Sequence, residues 1–298
     1  MRLFLASIVF VLPALSFPGI VGKLEENITT CGDFFFDEKP PVIPGILMNS
    51  VALNDTYKII CQKYENEIRF ATLYDTREKI PVFSAYKYIG ANNFERPQIP
   101  WMIESELEPS GDEMCKPFTK QARINYWINK TEQAYIPGTL FPMNHTADRE
   151  TAESTLTLTN SVPLKLRFRE GLWSLVEQEI KENMDRNCRD ENNNIVAYVL
   201  TGAVPGGENL KVVKIPSHMW TAFCCYNSSE TVWVSQTYWA ENTHNNDLIN
   251  IRLHSLEDLQ NFLNEQLGRN IKLFNNNCGK KSNKLPPSFR SVQIRADG

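Results

Sequence analysis

Alternation of apolar and polar side chains predicts several β-strands. The strand-like runs lie at residues 57–61, 70–74, 81–88 and 195–201. We expect Gly202 and the turn at 205–207 to end the last of these, because glycine and proline interrupt strands. A further strand contains Cys224 and Cys225, with residues 232–236 as its hairpin partner.

Two helices are predicted from apolar side chains that recur about every four residues. The first covers residues 167–184 and presents one apolar stripe: Phe168, Leu172, Leu175, Val176, Ile180 and Met184. The second begins after Ser255, which can cap it together with Asp258. Its predicted buried face consists of Leu256, Leu259, Phe262, Leu263 and Leu267. Residues 104–135 are polar and mixed, which predicts helix and loop.

The two ends of the chain differ from this body. Residues 1–16 have a basic start, an apolar run and small residues near Ser16, which is typical of a secretory signal peptide. The apolar run is shorter than the roughly 20 residues that span a bilayer. Residues 279–298 are polar, basic and proline-containing, so we expect a flexible tail. We therefore predict a single domain at 17–278 and no transmembrane segment.

Five Asn-x-Ser/Thr sequons indicate glycosylation in the secretory pathway: Asn27, Asn54, Asn129, Asn144 and Asn227. Each would be a surface position if it carried a glycan. Together with the signal peptide, they predict a secreted, extracellular glycoprotein.

Seven cysteines follow the predicted signal peptide: Cys31, Cys61, Cys115, Cys188, Cys224, Cys225 and Cys278. In an oxidising compartment most of them should form disulfides, and an odd number leaves at least one free or intermolecular. Zinc is disfavoured because the sequence has no C-x-x-C pair. The adjacent Cys224 and Cys225 would also point to opposite sides of a strand.

The charge balance argues against nucleic acid as the main partner. Lys and Arg total 31 and Asp and Glu total 35, for a formal net charge of −4. A dedicated nucleic-acid binder is usually basic. Nucleic acid stays a possible partner through a local basic patch.

The segments 135–142, 156–163 and 169–181 resemble the active-site block of the DNA/RNA non-specific endonucleases. The pattern of that family runs Asp-Arg-Gly-His-Leu-x-Pro, then Thr-Asn-x-x-Pro, then Asn-x-x-x-Trp-x-x-x-Glu. The chain keeps Gly138, Pro142, Asn160, Pro163, Trp173, Glu177 and, with its charge retained, Lys181. Four further segments resemble the vertebrate endonuclease domain-containing 1 proteins: 81–86, 96–104, 199–206 and 215–225.

The resemblance implies an α+β fold with a central antiparallel sheet, flanking helices and a ββα-metal (His-Me finger) site. The predicted helix at 167–184 would be the helix of that site. In the family, the motif His is the general base and the motif Asn ligates Mg²⁺. Here Ile136, Pro137 and Thr139 stand in place of Asp, Arg and His, and Arg169 stands in place of the Asn.

These replacements remove the chemistry that phosphodiester hydrolysis needs. The Thr139 hydroxyl has no useful pKa near neutrality, so it cannot serve as the base. Arg169 is a permanent cation without an acceptor atom, whereas Mg²⁺ binds oxygen ligands. Pro137 removes a phosphate contact. We therefore expect a pseudoenzyme without a cofactor, and Mg²⁺ only if the site is active after all.

The remaining polar residues have structural explanations. Glu177 and Lys181 are spaced i,i+4, which predicts an ordinary surface ion pair. His145 lies in the sequon of Asn144, so a glycosylated surface loop suits it better than the role of a substitute base. The other histidines lack metal-ligand spacing: His218, His244 and His254.

Arg169 has two interpretations. It could hold a phosphate or carboxylate of a ligand through paired hydrogen bonds. An ion pair with Glu170, Glu177 or another acid is the preferred interpretation.

Three functions from different classes therefore remain. The first is a secreted glycoprotein that keeps the endonuclease fold, does not catalyse and binds an unknown extracellular partner. The second is a divalent-metal-dependent secreted nuclease with a rewired site. The third is a protein that binds nucleic acid without cleaving it. Metal-dependent cleavage would identify the second, and steeply salt-dependent polyanion binding would identify the third.

Overall fold

A computed structural model gives the fold. It describes residues 22–93, 95–108, 120–122, 135–243, 250–251, 254–274, 278 and 292–293. Several predictions lie outside these residues: the signal peptide at 1–16, Cys115, Asn129, His244 and most of 104–135.

Seven antiparallel strands form the central sheet. In spatial order they are β1 (Lys23–Glu25), β4 (Tyr57–Tyr64), β5 (Glu67–Asp75), β6 (Ile80–Tyr88), β9 (Ala197–Leu210), β10 (Val213–Asn227) and β11 (Val232–Glu241). Three two-stranded ladders accompany the sheet: β2 (Leu47–Met48) with β3 (Val51–Ala52), β7 (Tyr135–Thr139) with β8 (Ser161–Lys165), and β12 (Asn250–Ile251) with β13 (Val292–Gln293). The strands expected from the first four apolar runs and the predicted hairpin are all present in the central sheet.

The prediction that Gly202 and the turn at 205–207 end a strand is wrong, because β9 continues to Leu210. A Cβ at Gly202 would lie 2.3 Å from the Trp220 indole, so glycine is needed there for close packing of β9 on β10. Pro205 pairs with Pro216, and the register shifts on both sides of Pro216. Proline is tolerated at such a bulge because no ladder hydrogen bond requires its missing N–H.

The helices lie on the two faces of the sheet. They are α1 (Arg149–Ser154), α2 (Leu166–Phe168), α3 (Ser174–Asn187) and α4 (Leu256–Leu267). A π-turn, Arg169–Trp173, connects α2 to α3 without a break, so one finger helix covers residues 166–187. The capping box predicted for α4 is present at Ser255 and Asp258. Among the residues described, five short 3-10 segments accompany the helices: Ile28–Phe34, Phe36–Glu38, Ser105–Leu107, Met143–His145 and Leu158–Asn160.

Two apolar layers cover the two faces of the sheet. The finger helix packs against one face through its stripe of buried side chains: Phe168, Trp173, Val176, Ile180 and Met184. The 3-10 segment at Ile28–Phe34 and α4 pack against the other face, where Leu259 and Leu263 are buried. This α+β arrangement is the fold class expected from the resemblance.

Three disulfides join these layers to the sheet: Cys31–Cys61, Cys188–Cys225 and Cys224–Cys278. Cys225 belongs to the layer that contains the finger helix, and Cys224 belongs to the opposite layer. The expectation that these neighbours point to opposite sides of one strand is therefore confirmed.

The described part of the chain contains no helix long and apolar enough to cross a bilayer. Within the predicted tail, Val292–Gln293 form a short ladder with Asn250–Ile251. A flexible tail was predicted at 279–298, and these two residues are instead paired in a ladder. The other residues of that segment are not among those the structure describes.

Candidate functional site

The site is a ββα unit. β7 pairs with β8 in antiparallel register, from Tyr135 opposite Lys165 to Thr139 opposite Ser161. The chain then turns directly into the finger helix after Lys165. Asn242 fixes this junction, because its Oδ1 accepts from the Lys165 N–H at 3.0 Å and its Nδ2 donates to the Pro216 carbonyl at 3.0 Å.

Asn160 holds the hairpin to the central sheet. Its Oδ1 accepts from the Ser84 hydroxyl at 2.8 Å and from the Phe141 N–H at 3.0 Å. Its Nδ2 donates to the carbonyls of Phe141 at 3.2 Å and Thr155 at 3.0 Å. All four hydrogen-bonding positions of this buried amide are therefore used. The surviving Asn of the Thr-Asn-x-x-Pro motif has a structural role.

Arg169 and Glu177, which stand at two of the motif positions, form an ion pair. Nη1 of Arg169 lies 3.2 Å from Oε2 of Glu177, and the two side chains are 24% and 6% exposed. Gly138 chiefly makes room for Leu164, since a Cβ there would lie 2.3 Å from the Leu164 Cδ1 and 3.3 Å from the Arg169 Cδ. The preferred interpretation of Arg169 thus matches the observed geometry.

The prediction of a surface pair between Glu177 and Lys181 is wrong. Glu177 is only 5% exposed, and Lys181 instead pairs with Asp185 at 2.8 Å. The i,i+4 spacing identifies neighbours on a helix but not the face on which they lie. Glu177 follows Trp173 by one turn and precedes Ile180, so it lies on the buried face.

Burial dominates the electrostatics of Glu177. It raises the pKa of this carboxyl above its usual value, although the Arg169 guanidinium acts to lower it. Within the described structure, Oε1 of Glu177 and Nε1 of Trp173 have no partner that meets hydrogen-bond geometry. Arg169 therefore offsets part of the cost of burying the Glu177 carboxyl.

The interpretation of His145 as a surface residue is also wrong. Its ring is 3% exposed and lies under the finger helix. Nε2 lies 2.8 Å from the Glu177 carbonyl, which can only accept, so Nε2 carries the proton. Nδ1 then accepts from the Tyr86 hydroxyl at 2.8 Å. Burial lowers the His145 pKa to about 4, and both nitrogens are engaged, so this ring is not a substitute base.

A small cavity lies between the finger helix and the sheet. It has a volume of about 10 Å³ and is lined by Tyr86, His145, Trp173, Glu177, Thr201 and Thr221, among others. Such a volume holds about one water molecule. It cannot contain a nucleotide or a hydrated metal ion.

The residues at the motif positions do not fit Mg²⁺. Ile136, Pro137 and Thr139 lie half-buried on β7 and provide one hydroxyl among them. Arg169 places a cation at the ligand position and occupies Glu177, the acid that remains. Among the described residues, no group of three or more His, Cys, Asp or Glu side chains could hold a metal ion.

A buried acid that no sequence motif singled out, Glu104, lies behind the hairpin and is 2% exposed. Its Oε1 accepts from the hydroxyls of Thr159 at 3.0 Å and Thr157 at 3.4 Å. Burial raises the Glu104 pKa to about 8, so the carboxyl is mostly protonated at neutral pH. The sequence feature that could have predicted its burial is its position directly after the apolar residues Met102 and Ile103.

The predicted sequons differ in accessibility. Asn54 and Asn144 are exposed and Asn27 is half-buried. Asn227 is only 5% exposed, and its Oδ1 accepts from the N–H groups of Ser229 and Glu230. Asn227 therefore departs from the surface position expected of a glycosylated residue.

Comparison with known proteins gives the same family as the ββα unit. The family model of the DNA/RNA non-specific endonucleases matches residues 50–276. The human (Homo sapiens) endonuclease domain-containing 1 protein is 29% identical over 288 residues, which cover 91% of this chain and 52% of that protein. Its mouse (Mus musculus) counterpart is 32% identical over 270 residues, with 84% and 48% covered. The chain thus spans about half the length of these curated relatives.

A solved structure of the EndoG/EndoGI complex aligns with a TM-score of 0.48 and 15% identity, covering 69% of this chain and 84% of that one. This likeness is too distant to add to the fold assignment. The family match extends across the central sheet, the hairpin and the finger helix. The chain belongs to the DNA/RNA non-specific endonuclease family.

Proposed function

We propose that the protein is a secreted glycoprotein that keeps the endonuclease fold without cleaving nucleic acid and acts by binding an extracellular partner. The observation that carries this proposal is the Arg169–Glu177 ion pair, which puts a guanidinium where the family ligates Mg²⁺. The cation repels a divalent ion and neutralises the acid next to it. Without a metal and without a base at Thr139, the site lacks both groups that activate water.

The same arginine supports a binding role. Nη1 lies within ion-pair distance of Glu177, and a guanidinium has five N–H donors. The side chain is 24% exposed, so its outer edge can reach a carboxylate or phosphate on another molecule. We propose that Arg169 contacts an anionic group of the partner.

The proposed compartment has support from the covalent structure. Disulfides persist in secreted proteins and are rare in the cytosol, and this fold contains three of them. Two sequons, at Asn54 and Asn144, are exposed as glycosylation requires.

The deciding experiment incubates full-length protein from a secretory host with plasmid DNA and with RNA, in EDTA, Mg²⁺ or Mn²⁺. We expect no cleavage in any condition. Divalent-dependent cleavage that disappears in Glu177→Ala would overturn the proposal in favour of a rewired nuclease. Uncleaved DNA that binds with a steep salt dependence would instead favour a non-cleaving nucleic-acid binder.

Anion binding by Arg169 is tested with inorganic phosphate as the probe. We expect phosphate to raise the Tm of the wild type and of Lys181→Gln, and to leave that of Arg169→Gln unchanged. Lys181 is the matched control because it is a cation of the same helix that pairs with Asp185. Equal responses in the two variants would contradict the role assigned to Arg169.

A further inference from the structure

A groove on the far side of the sheet from the finger helix lies between β1 and residues 51–59. Its volume is about 530 Å³, and its walls include Glu25, Val51, Leu53, Asn54 and Tyr57. This is within the range of cavities that bind small molecules, roughly 300–1,000 Å³. We refer to it as the β1 groove.

The rim of the β1 groove exposes apolar side chains to water. Val51 is 41% exposed and Leu53 is 47% exposed. Val51 lies on β3 and Leu53 at the bend that follows it, and both side chains line the groove. Ile59 is 1% exposed and belongs to the floor of the groove, and Tyr57 is half-buried beside it.

The groove also has polar groups suited to hydroxyls. Glu25, Glu26 and Lys58 lie along it. Lys58 is held by Asp55, with 3.4 Å between Nζ and Oδ1. A pyranose ring combines an apolar C–H face with a rim of hydroxyls, so a sugar can pack on Leu53 and donate hydrogen bonds to the carboxylates.

One sequon lies in the wall of this groove. Asn54 is exposed, and its Oδ1 accepts from the Thr56 N–H at 3.0 Å. The turn therefore fixes Oδ1, and a glycan would be attached through the other terminal atom of the side chain, Nδ2. Asn144 is exposed but lies on the 3-10 segment at 143–145, far along the chain from the groove walls.

We infer that the first sugars of an N-glycan on Asn54 occupy the β1 groove and cover Val51 and Leu53. This inference rests on the secretory location in the proposed function. The glycan acts as a covalently attached part of the surface and removes an apolar edge from water. It also identifies the occupant of the groove as a segment of this glycoprotein rather than a separate partner.

The experiment compares Thr56→Ala, which destroys the sequon, with Thr56→Ser, which preserves it. Both are made in the full chain from a secretory host, with site occupancy measured by peptide mass spectrometry. We expect Thr56→Ala to accelerate hydrogen exchange across 51–59, to increase binding of an apolar-surface dye and to lower the Tm by about 2–4 °C. Thr56→Ser should match the wild type, and Asn54→Gln should reproduce the effects of Thr56→Ala.

The controls separate this inference from its premise. Asn144→Gln removes a glycan outside the groove and should leave exchange at 51–59 unchanged. A wild-type protein that carries no glycan at any sequon would contradict the secretory location itself. If Asn54 is occupied and removal of its glycan changes neither exchange at 51–59 nor dye binding, the groove assignment alone is overturned.

Discussion

The guanidinium of Arg169 reaches the carboxylate of Glu177 at 3.2 Å across eight residues of one continuous helix. The π-turn Arg169–Trp173 explains this alignment. An α-turn takes 3.6 residues and a π-turn takes about one residue more, so eight residues complete about two full turns. Both side chains therefore emerge on the same side of the helix.

Replacing Arg169 by Asn is expected to destabilise the fold by about 1–3 kcal/mol, because it leaves Glu177 buried without its cation. Urea unfolding at neutral pH measures the change. Lys181→Asn is the control, since its pair with Asp185 is more exposed and should contribute under about 1 kcal/mol. Adding Glu177→Gln to Arg169→Asn should restore part of the loss. A silent Arg169→Asn variant would contradict this account.

Divalent ions are expected to leave the wild-type Tm unchanged, because a ligand that binds the folded state would raise it. Thermal scans in EDTA, Mg²⁺ and Mn²⁺ test this directly. The double variant Thr139→His with Arg169→Asn restores the motif base and ligand, but Ile136 and Pro137 should limit it to trace nuclease activity. A Mg²⁺-induced rise in the wild-type Tm would mean that the site still binds a metal.

Stability is expected to fall as pH rises because of Glu104. Its folded pKa of about 8 exceeds the usual value of 4.5, so the folded state holds the proton more tightly than the unfolded state. This contribution is fully present below pH 4.5 and is lost as pH rises to about 8, at about 1.4 kcal/mol per pH unit. Urea titrations between pH 6.5 and 8 should show a shallower slope in Glu104→Gln. His145, whose pKa is lowered from 6.5 to about 4, contributes in the opposite sense between those two values, and this contribution is common to both proteins, so it cancels in the comparison. Identical slopes would refute the assignment.

Asn160→Ala is expected to cost at least about 3 kcal/mol, because it leaves several buried backbone and hydroxyl partners unsatisfied. The comparison is Asn92→Ala, which removes an exposed amide that donates to the Ala147 carbonyl and should have an effect under about 1 kcal/mol. Denaturant unfolding of both variants provides the measurement. Similar losses would show that Asn160 does not hold the hairpin to the sheet.

Secreted protein is expected to begin near residue 17 and to carry glycans at Asn54 and Asn144 but not at Asn227. The buried Asn227 side chain is already bonded to two backbone N–H groups. N-terminal sequencing and glycopeptide mass spectrometry provide the test. An intact Met1 on cytosolic protein, or a glycan on Asn227, would contradict these expectations.

Much of the fold follows from patterns that are local in sequence. The strands β4, β5, β6 and β10, the capping box at Ser255 and the helix stripe depend on neighbours within one element. The motif positions also identified the right hairpin and helix. What the pattern missed was the continuation of β9 past Gly202, because the reason for that glycine is the Trp220 side chain on another strand.

The candidate site was less predictable for the same reason. The π-turn that aligns Arg169 with Glu177 has no composition signal in this sequence. The burial of His145 depends on Tyr86, 59 residues away in the chain. A sequon suggested a surface loop around His145, yet only Asn144 faces the solvent while the next side chain turns inward.

The consecutive cysteines of β10 affect how this protein unfolds. Cys225 is crosslinked to Cys188, the residue that ends the finger helix, and Cys224 is crosslinked to Cys278 on the other face. Each bond ties one apolar layer to β10, and the two attachment points are adjacent residues of that strand. The oxidised domain should lose its layers in one cooperative transition. In a reducing compartment each layer would open at its own free energy, so the folded state would depend on the redox potential of its surroundings.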